Sequence, residues 1–174
     1  MDIAWKKIGE RALYSGYRKV VGKTFLLPDG RQAEFDIHSD PDTVCVVAFT
    51  PENEVVLAKQ FRPGPEMPIV ELPGGIAESG RAFKNQAERE LMEETGYQGD
   101  LEFVGEYLTD CYSTRHGHVF IGHNCRKVAE PRPGGSEFIQ VVKLSLSQFR
   151  KHLRSGQISD VQAGYMALDY LGLL

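Results

Sequence analysis

The hydrophobic positions of this chain change period several times, and each change marks an element. Ala33, Phe35 and Ile37 alternate with Glu34, Asp36 and His38, the two-residue period of a strand with one covered face. Asp29-Gly30 just before them is a strong hairpin signal, so residues 4 to 38 read as antiparallel strands and Ser39 to Asp42 as a linker. Val44 to Phe49 is a continuous apolar run and reads as a central strand, followed by a turn at Pro51 to Asn53 and a second run, Val55 to Ala58. Ile69, Val70 and Leu72 form an apolar strand that runs into Pro73-Gly74-Gly75. The period then lengthens: Phe83, Ala87 and Leu91 recur every four residues, predicting a helix with Ser79-Gly80 as its N-cap and Gly96 as its C-cap. Strands are expected near 101–108 and 117–124, a Pro/Gly-rich loop at 131–135, and a strand from Phe138 to Leu144. Two helices, roughly 147–155 and 159–171, are separated by Ser155-Gly156. Strands enclosing one central helix, with further helices outside, predict an α/β fold, a mixed-sheet sandwich. An N-terminal antiparallel sheet (1–40) would precede a core domain (41–174).

Charge enters where the long helix does. Glu90, Glu93 and Glu94 stand at i, i+3 and i+4, on one face of that helix. The nearest basic residue on the same helix is Arg89, at i−4 from Glu93. Three carboxylates so placed repel one another unless a cation sits among them, and Mg²⁺ or Mn²⁺ suits carboxylate oxygens. A solvated acidic face is the plainer alternative. The upstream Glu71-Leu72-Pro73-Gly74-Gly75 turn alters the balance, because glycines there let a backbone carbonyl approach a ligand closely. Strand, glycine loop and acid-faced helix together suit a metal-bound phosphate.

Composition narrows the class. The 174 residues carry a net charge of −4, which argues against a nucleic-acid-binding surface. An acidic enzyme with an anionic substrate must supply positive charge locally, through metal ions and a few arginines. Cys45, Cys111 and Cys125 are odd in number and widely spaced, so no disulfide framework is expected. The longest apolar run is too short to span a membrane, and the N-terminus has no signal-peptide core. A cytoplasmic protein with reduced thiols is the expectation. His116, His118 and His123 alternate along a strand with no cysteine at ligand spacing, which argues against zinc.

The assembled motif resembles the Nudix box of the Nudix hydrolases, G-x5-E-x7-R-E-U-x-E-E-x-G-U, with U an aliphatic or aromatic residue. Here Gly75 is followed after five residues by Arg81, and after seven more by Arg89-Glu90-Leu91-Met92-Glu93-Glu94-Thr95-Gly96-Tyr97. Every defined position matches except Arg81, which stands where the family has Glu; Glu78 or Glu88 could replace that partner of Arg89 by neighbouring geometry. Gln60-Phe61-Arg62, Glu71 to Gly75 and Gly156-Gln157-Ile158-Ser159-Asp160 further resemble elements of the ADP-ribose pyrophosphatase branch. In that branch an N-terminal sheet packs across a homodimer.

The resemblance implies a Nudix fold and metal-dependent hydrolysis of a nucleoside diphosphate linked to another moiety. Glu90, Glu93 and Glu94 would be the metal ligands and catalytic acids, with the Gly74 carbonyl as a further ligand. Gly75 and Arg89 would support them. Glu137, after Pro133-Gly134-Gly135-Ser136, occupies the place of the branch's loop carboxylate, with a solvated strand-start acid as the alternative. Arg62 and Arg115 are candidate substrate contacts. The small-molecule nucleotide implied first is ADP-ribose, cleaved to AMP and ribose 5-phosphate. Asp110 to Thr114 lacks the branch's proline, which opens GDP-mannose or another nucleotide sugar. Arg81 leaves open a third reading, a nucleotide-binding sensor without turnover.

Overall fold

The computed structural model describes residues 3–174, which divide into two compact units. One comprises the chain up to Asp42 together with Leu108–His116; the other comprises Thr43–Tyr107 and Gly117–Leu174.

The first unit is a three-stranded antiparallel sheet in the order β1 (Lys6–Ser15), β2 (Lys19–Leu26), β3 (Gln32–His38). Its β2–β3 hairpin runs in unbroken register from Val20↔His38 to Leu26↔Gln32. The Asp29-Gly30 turn closes it: Gly30 takes φ 85° and donates to the Leu27 carbonyl at 2.9 Å. That left-handed conformation is the reason for glycine there. Trp5, Phe25 and Phe35 pack their rings within 5.4–6.1 Å of one another. Within the same unit the Leu108–His116 segment lies along His38, with Thr114 N donating to the His38 carbonyl at 2.9 Å.

The second unit is built on a mixed seven-stranded sheet. Its main path runs β10 (Gln140–Ser145), β5 (Glu54–Arg62), β4 (Thr43–Phe49), β9 (His116–Lys127), β8 (Tyr97–Leu108), while β6 (Met67–Glu71) pairs with β5 and β7 (Gly74–Ile76) with β4. β4 runs parallel to β9 and antiparallel to β5. Being central, β4 is covered on both faces, which accounts for its unbroken apolar run. Its even positions Val44, Val46 and Ala48 join Ala87 and Leu91 of helix α1 (Phe83–Thr95) in one core cluster. Its odd positions Cys45, Val47 and Phe49 join Phe149 and Leu153 of α2 (Leu146–Ser155) and Ala163, Ala167 and Leu168 of α3 (Val161–Tyr170) in the other. The layering is helix, sheet, helices, as expected.

Two local boundaries differ from expectation. Helix α1 has Ala82 as its N-cap, with no side-chain capping bond. Ser79-Gly80 belong to a separate turn, in which Gly80 takes φ 82° and Arg81 N donates to the Glu78 carbonyl at 3.2 Å. The expected strand from Phe138 starts at Gln140, because its ladder with β5 runs only from Gln140↔Lys59 to Ser145↔Glu54. Phe138 lies outside it and is 88% exposed. Gly96 does cap α1, at φ 73° with its N–H on the Met92 carbonyl.

Candidate active site

The site grows from the contact between β7 and β4, which sets the glycine turn against the sheet. Gly74 pairs with Cys45 and Gly75 with Val44. A Cβ at Gly74 would lie 2.2 Å from the Val44 carbonyl oxygen, so no larger residue fits. At Gly75 a Cβ would come within 2.8 Å of the Glu90 carboxylate. The second glycine therefore lets an acid of α1 lie directly over the backbone.

Helix α1 then delivers its acids to three environments. Glu94 is buried, its Oε2 accepting from Gly74 N at 3.0 Å and its Oε1 facing Gln60 Nε2 at 3.5 Å. Burial pushes its acid constant up to about 8; the Gly74 bond opposes this, and the charges of Glu90 and Glu137 add to it. Glu90 accepts from Gln86 Nε2 at 2.7 Å and Arg89 Nη2 at 2.8 Å. It too is raised, first by burial. Glu93 is the more open acid and pairs with Arg89 Nη1 at 2.5 Å.

Arg89 thus grips Glu90 and Glu93 together, and Glu78 joins them at 3.0 Å. Glu78 also binds Arg81 at 3.1 Å. One carboxylate therefore faces both arginines, so the positive charge of Arg81 is matched within the turn that carries it. Glu78 rather than Glu88 makes this contact.

Among the described residues no three His, Cys, Asp or Glu side chains converge as a ready-made metal cluster. The acids are held by Arg89 and by Gly74 instead. The residues nevertheless fit a hard dication. The donors are carboxylate oxygens on one helix face, burial pushes the Glu94 carboxyl up to about 8, a penalty on its charge that a cation would relieve, and Gln86 Oε1 is a buried acceptor without a hydrogen-bond partner.

The remaining expected residues are more dispersed. Arg62, at the end of β5, donates from Nε to Glu71 Oε2 at 2.5 Å. Glu137 sits in an exposed turn, its backbone N–H on the Gly134 carbonyl at 3.0 Å and its Oε2 accepting from Gly134 N at 3.3 Å. Its charge is felt at both Glu90 and Glu94. Arg115 belongs to the other unit, where Nη2 binds Asp40 at 3.0 Å and Nε the Pro41 carbonyl at 3.0 Å. Of the three histidines, His118 stacks on Phe83 with ring centroids 3.7 Å apart, and His123 binds Glu102 at 2.9 Å; His116 donates its backbone N–H to Asp42. Sequence reasoning passed over Gln86 and Ser159. Gln86 stands four residues before Glu90, a spacing that pairs side chains on a helix; Ser159 carries no local signal.

Comparison with known proteins places this geometry. The NUDIX domain family matches residues 40–161. The chain belongs to the Nudix family, and it is a pyrophosphohydrolase by that membership. It is 32% identical to the ADP-ribose pyrophosphatase of Bacillus subtilis (strain 168), over 97% of this chain and 92% of that protein. It is 31% identical to the methanol dehydrogenase activator of Bacillus methanolicus, over 84% and 80% respectively. A crystal structure of an ADP compounds hydrolase shares the fold with a TM-score of 0.79 at 17% identity, covering 98% of this chain and 97% of that one.

Proposed function

We propose that this chain hydrolyses the pyrophosphate of ADP-ribose to AMP and ribose 5-phosphate, with Mg²⁺ or Mn²⁺ bound by Glu90, Glu93, Glu94 and the Gly74 carbonyl. The observation that carries the reading is Glu94: a buried carboxyl, raised to about 8, hydrogen-bonded to the glycine turn. It does so in a chain 32% identical to a named ADP-ribose pyrophosphatase.

A dication held there would supply charge neutralisation for the diphosphate and a more acidic water. The chain's own residues do the rest. Arg89 holds Glu90 and Glu93 in fixed rotamers, so the acids need little reorganisation. The Gly75 backbone keeps space beneath Glu90. Arg62 presents a guanidinium to the diphosphate oxygens. Glu137, carried on a loop with two glycines, takes the proton of the attacking water on a carboxylate oxygen. The water oxygen joins one phosphorus, the bridging P–O bond breaks, and the leaving phosphate departs as the second product.

The same reading makes the protein a homodimer through its N-terminal sheet. Strand β1 is exposed at nine of its ten residues, and Ile8, Leu13 and Tyr14 present apolar surface there. Its localisation is proposed as cytoplasmic. No helix among the described residues is long and apolar enough to cross a membrane.

The test is product analysis with Mg²⁺ on ADP-ribose and GDP-mannose in parallel. Formation of AMP with a kcat/KM at least tenfold above the rate on GDP-mannose supports the assignment. A reversed preference moves it to another nucleotide sugar, and tight binding without turnover makes the chain a sensor. Sedimentation of the same sample reads the dimer.

A further inference from the structure

We propose that Glu71 and Ser159 form a buried clamp that sets the guanidinium of Arg62, making Ser159 a positioning residue for diphosphate binding. This rests on the reading of Arg62 as a phosphate contact.

Glu71 ends β6 and is 2% exposed. A carboxylate so far from water needs a partner at each oxygen. Both are supplied: Oε2 accepts from Arg62 Nε at 2.5 Å and Oε1 from Ser159 Oγ at 2.6 Å. Two short bonds at opposite oxygens fix the plane of the carboxylate. That plane in turn fixes the plane of the guanidinium through Nε.

Nε is the inner edge of the arginine fork. Nη1 and Nη2 have no hydrogen-bond partner among the described residues, and the side chain is 41% exposed. Arg62 is therefore anchored at its base with both outer nitrogens available, the geometry that bidentate recognition of phosphate oxygens requires. Its direction is set by β5. Gln60, two residues earlier on the same strand face, reaches to within 3.5 Å of Glu94. The fork thus leaves the sheet on the side of the α1 acids.

The far end of the clamp lies beside a second acid. Ser159 Oγ lies 3.0 Å from Asp160 Oδ2, and Asp160 Oδ1 accepts from Tyr107 OH at 3.0 Å. The single hydroxyl proton faces two carboxylates, and the shorter contact goes to Glu71. The bonds from Ser159 to Glu71 and from Arg62 to Glu71 tie the segment leading into α3 to the end of β5. This gives the segment leading into α3 a task in substrate binding, although Ser159 is 88 residues from Glu71 in sequence.

The experiment compares wild type, Ser159→Ala, Ser159→Thr, Arg62→Ala and the Ser159→Ala/Arg62→Ala double variant. Each is assayed for ADP-ribose kinetics and, by calorimetry without metal, for ADP affinity; thermal unfolding checks the fold. Ser159→Ala is expected to raise KM and the ADP Kd roughly five- to tenfold while kcat stays within about twofold. Ser159→Thr, which keeps the hydroxyl, is expected to stay near wild type. Ser159→Ala is expected to add nothing in the Arg62→Ala background. Wild-type ADP affinity in Ser159→Ala alongside weakened binding in Arg62→Ala overturns the clamp, as does a full additional loss in the double variant or no loss of ADP affinity in Arg62→Ala. If wild type does not turn over ADP-ribose, the substrate assignment fails on its own, and the ADP affinities still decide the clamp.

Discussion

Replacing Glu94 by Gln removes the acid on which the site depends and should stabilise the metal-free protein at alkaline pH. Glu94 is buried, and its carboxyl is raised from 4.5 to about 8, first by desolvation. The folded protein therefore keeps a proton that the unfolded chain releases between those two values. Native proton binding exceeds unfolded binding in that window, so stability falls as pH rises through it and the loss is complete above about pH 8. At 1.36 kcal/mol per pH unit the full displacement corresponds to about 4–5 kcal/mol. Water penetration and side-chain relaxation in a real interior reduce this to about 2 kcal/mol. Glutamine keeps an oxygen for Gly74 N, now at no charge. For a chain of this length that is a rise in Tm of about 4–8 °C at about pH 8.5, shrinking towards zero near pH 5. The assay is thermal unfolding in chelator across pH, repeated with Mg²⁺. Mg²⁺ should raise the wild-type Tm more than that of the variant, because a dication favours the carboxylate. Parallel pH curves for the two proteins, or a less stable variant at about pH 8.5, would show that the Glu94 carboxyl is not raised by burial.

Four further outcomes follow from the same geometry. Gly74→Ala sets a Cβ 2.2 Å from the Val44 carbonyl, which is backbone and cannot yield; it should cost about 2–3 kcal/mol in a denaturant melt. Gly75→Ala meets only the Glu90 side chain, at 2.8 Å, so it should fold at near wild-type Tm yet lose at least tenfold in kcat. Glu137→Gln should lower kcat by about 10²-fold with little change in KM, and near-wild-type kcat would remove Glu137 from the mechanism. Glu78→Gln strips the counter-charge from Arg81 and Arg89 and should lower kcat/KM several-fold. Arg81→Glu in that background should restore it, and a failure to restore would mean that Glu78 acts by some route other than Arg89.

Local patterns carried the fold and put the acids of the candidate site on one helix face. The alternation of Ala33, Phe35 and Ile37, the turn at Gly30 and the unbroken run of β4 each follow from how much of an element is covered. Glu90, Glu93 and Glu94 share a helix face by spacing alone. What the sequence concealed lies in side-chain partners brought together from a distance. Nothing local to Ser159 announces a bond to Glu71, since that contact exists only once α3 packs beneath the sheet. Glu78 was legible as one of two neighbours of Arg89, and the choice between them needed the turn at Gly80. The N-cap was misplaced for a related reason: Ser79-Gly80 carry good capping chemistry, but the left-handed Gly80 uses it in a turn of its own. Arg115 is a candidate phosphate contact from its loop position alone, and its pairing with Asp40 is visible only in three dimensions.

The most direct test of the account is AMP release from ADP-ribose with Mg²⁺, measured for wild type and Glu94→Gln at equal, verified folding. Wild type should turn over only with the metal, and the variant should lose at least about 10²-fold in kcat. Turnover that survives the substitution, or that persists in chelator, would contradict it.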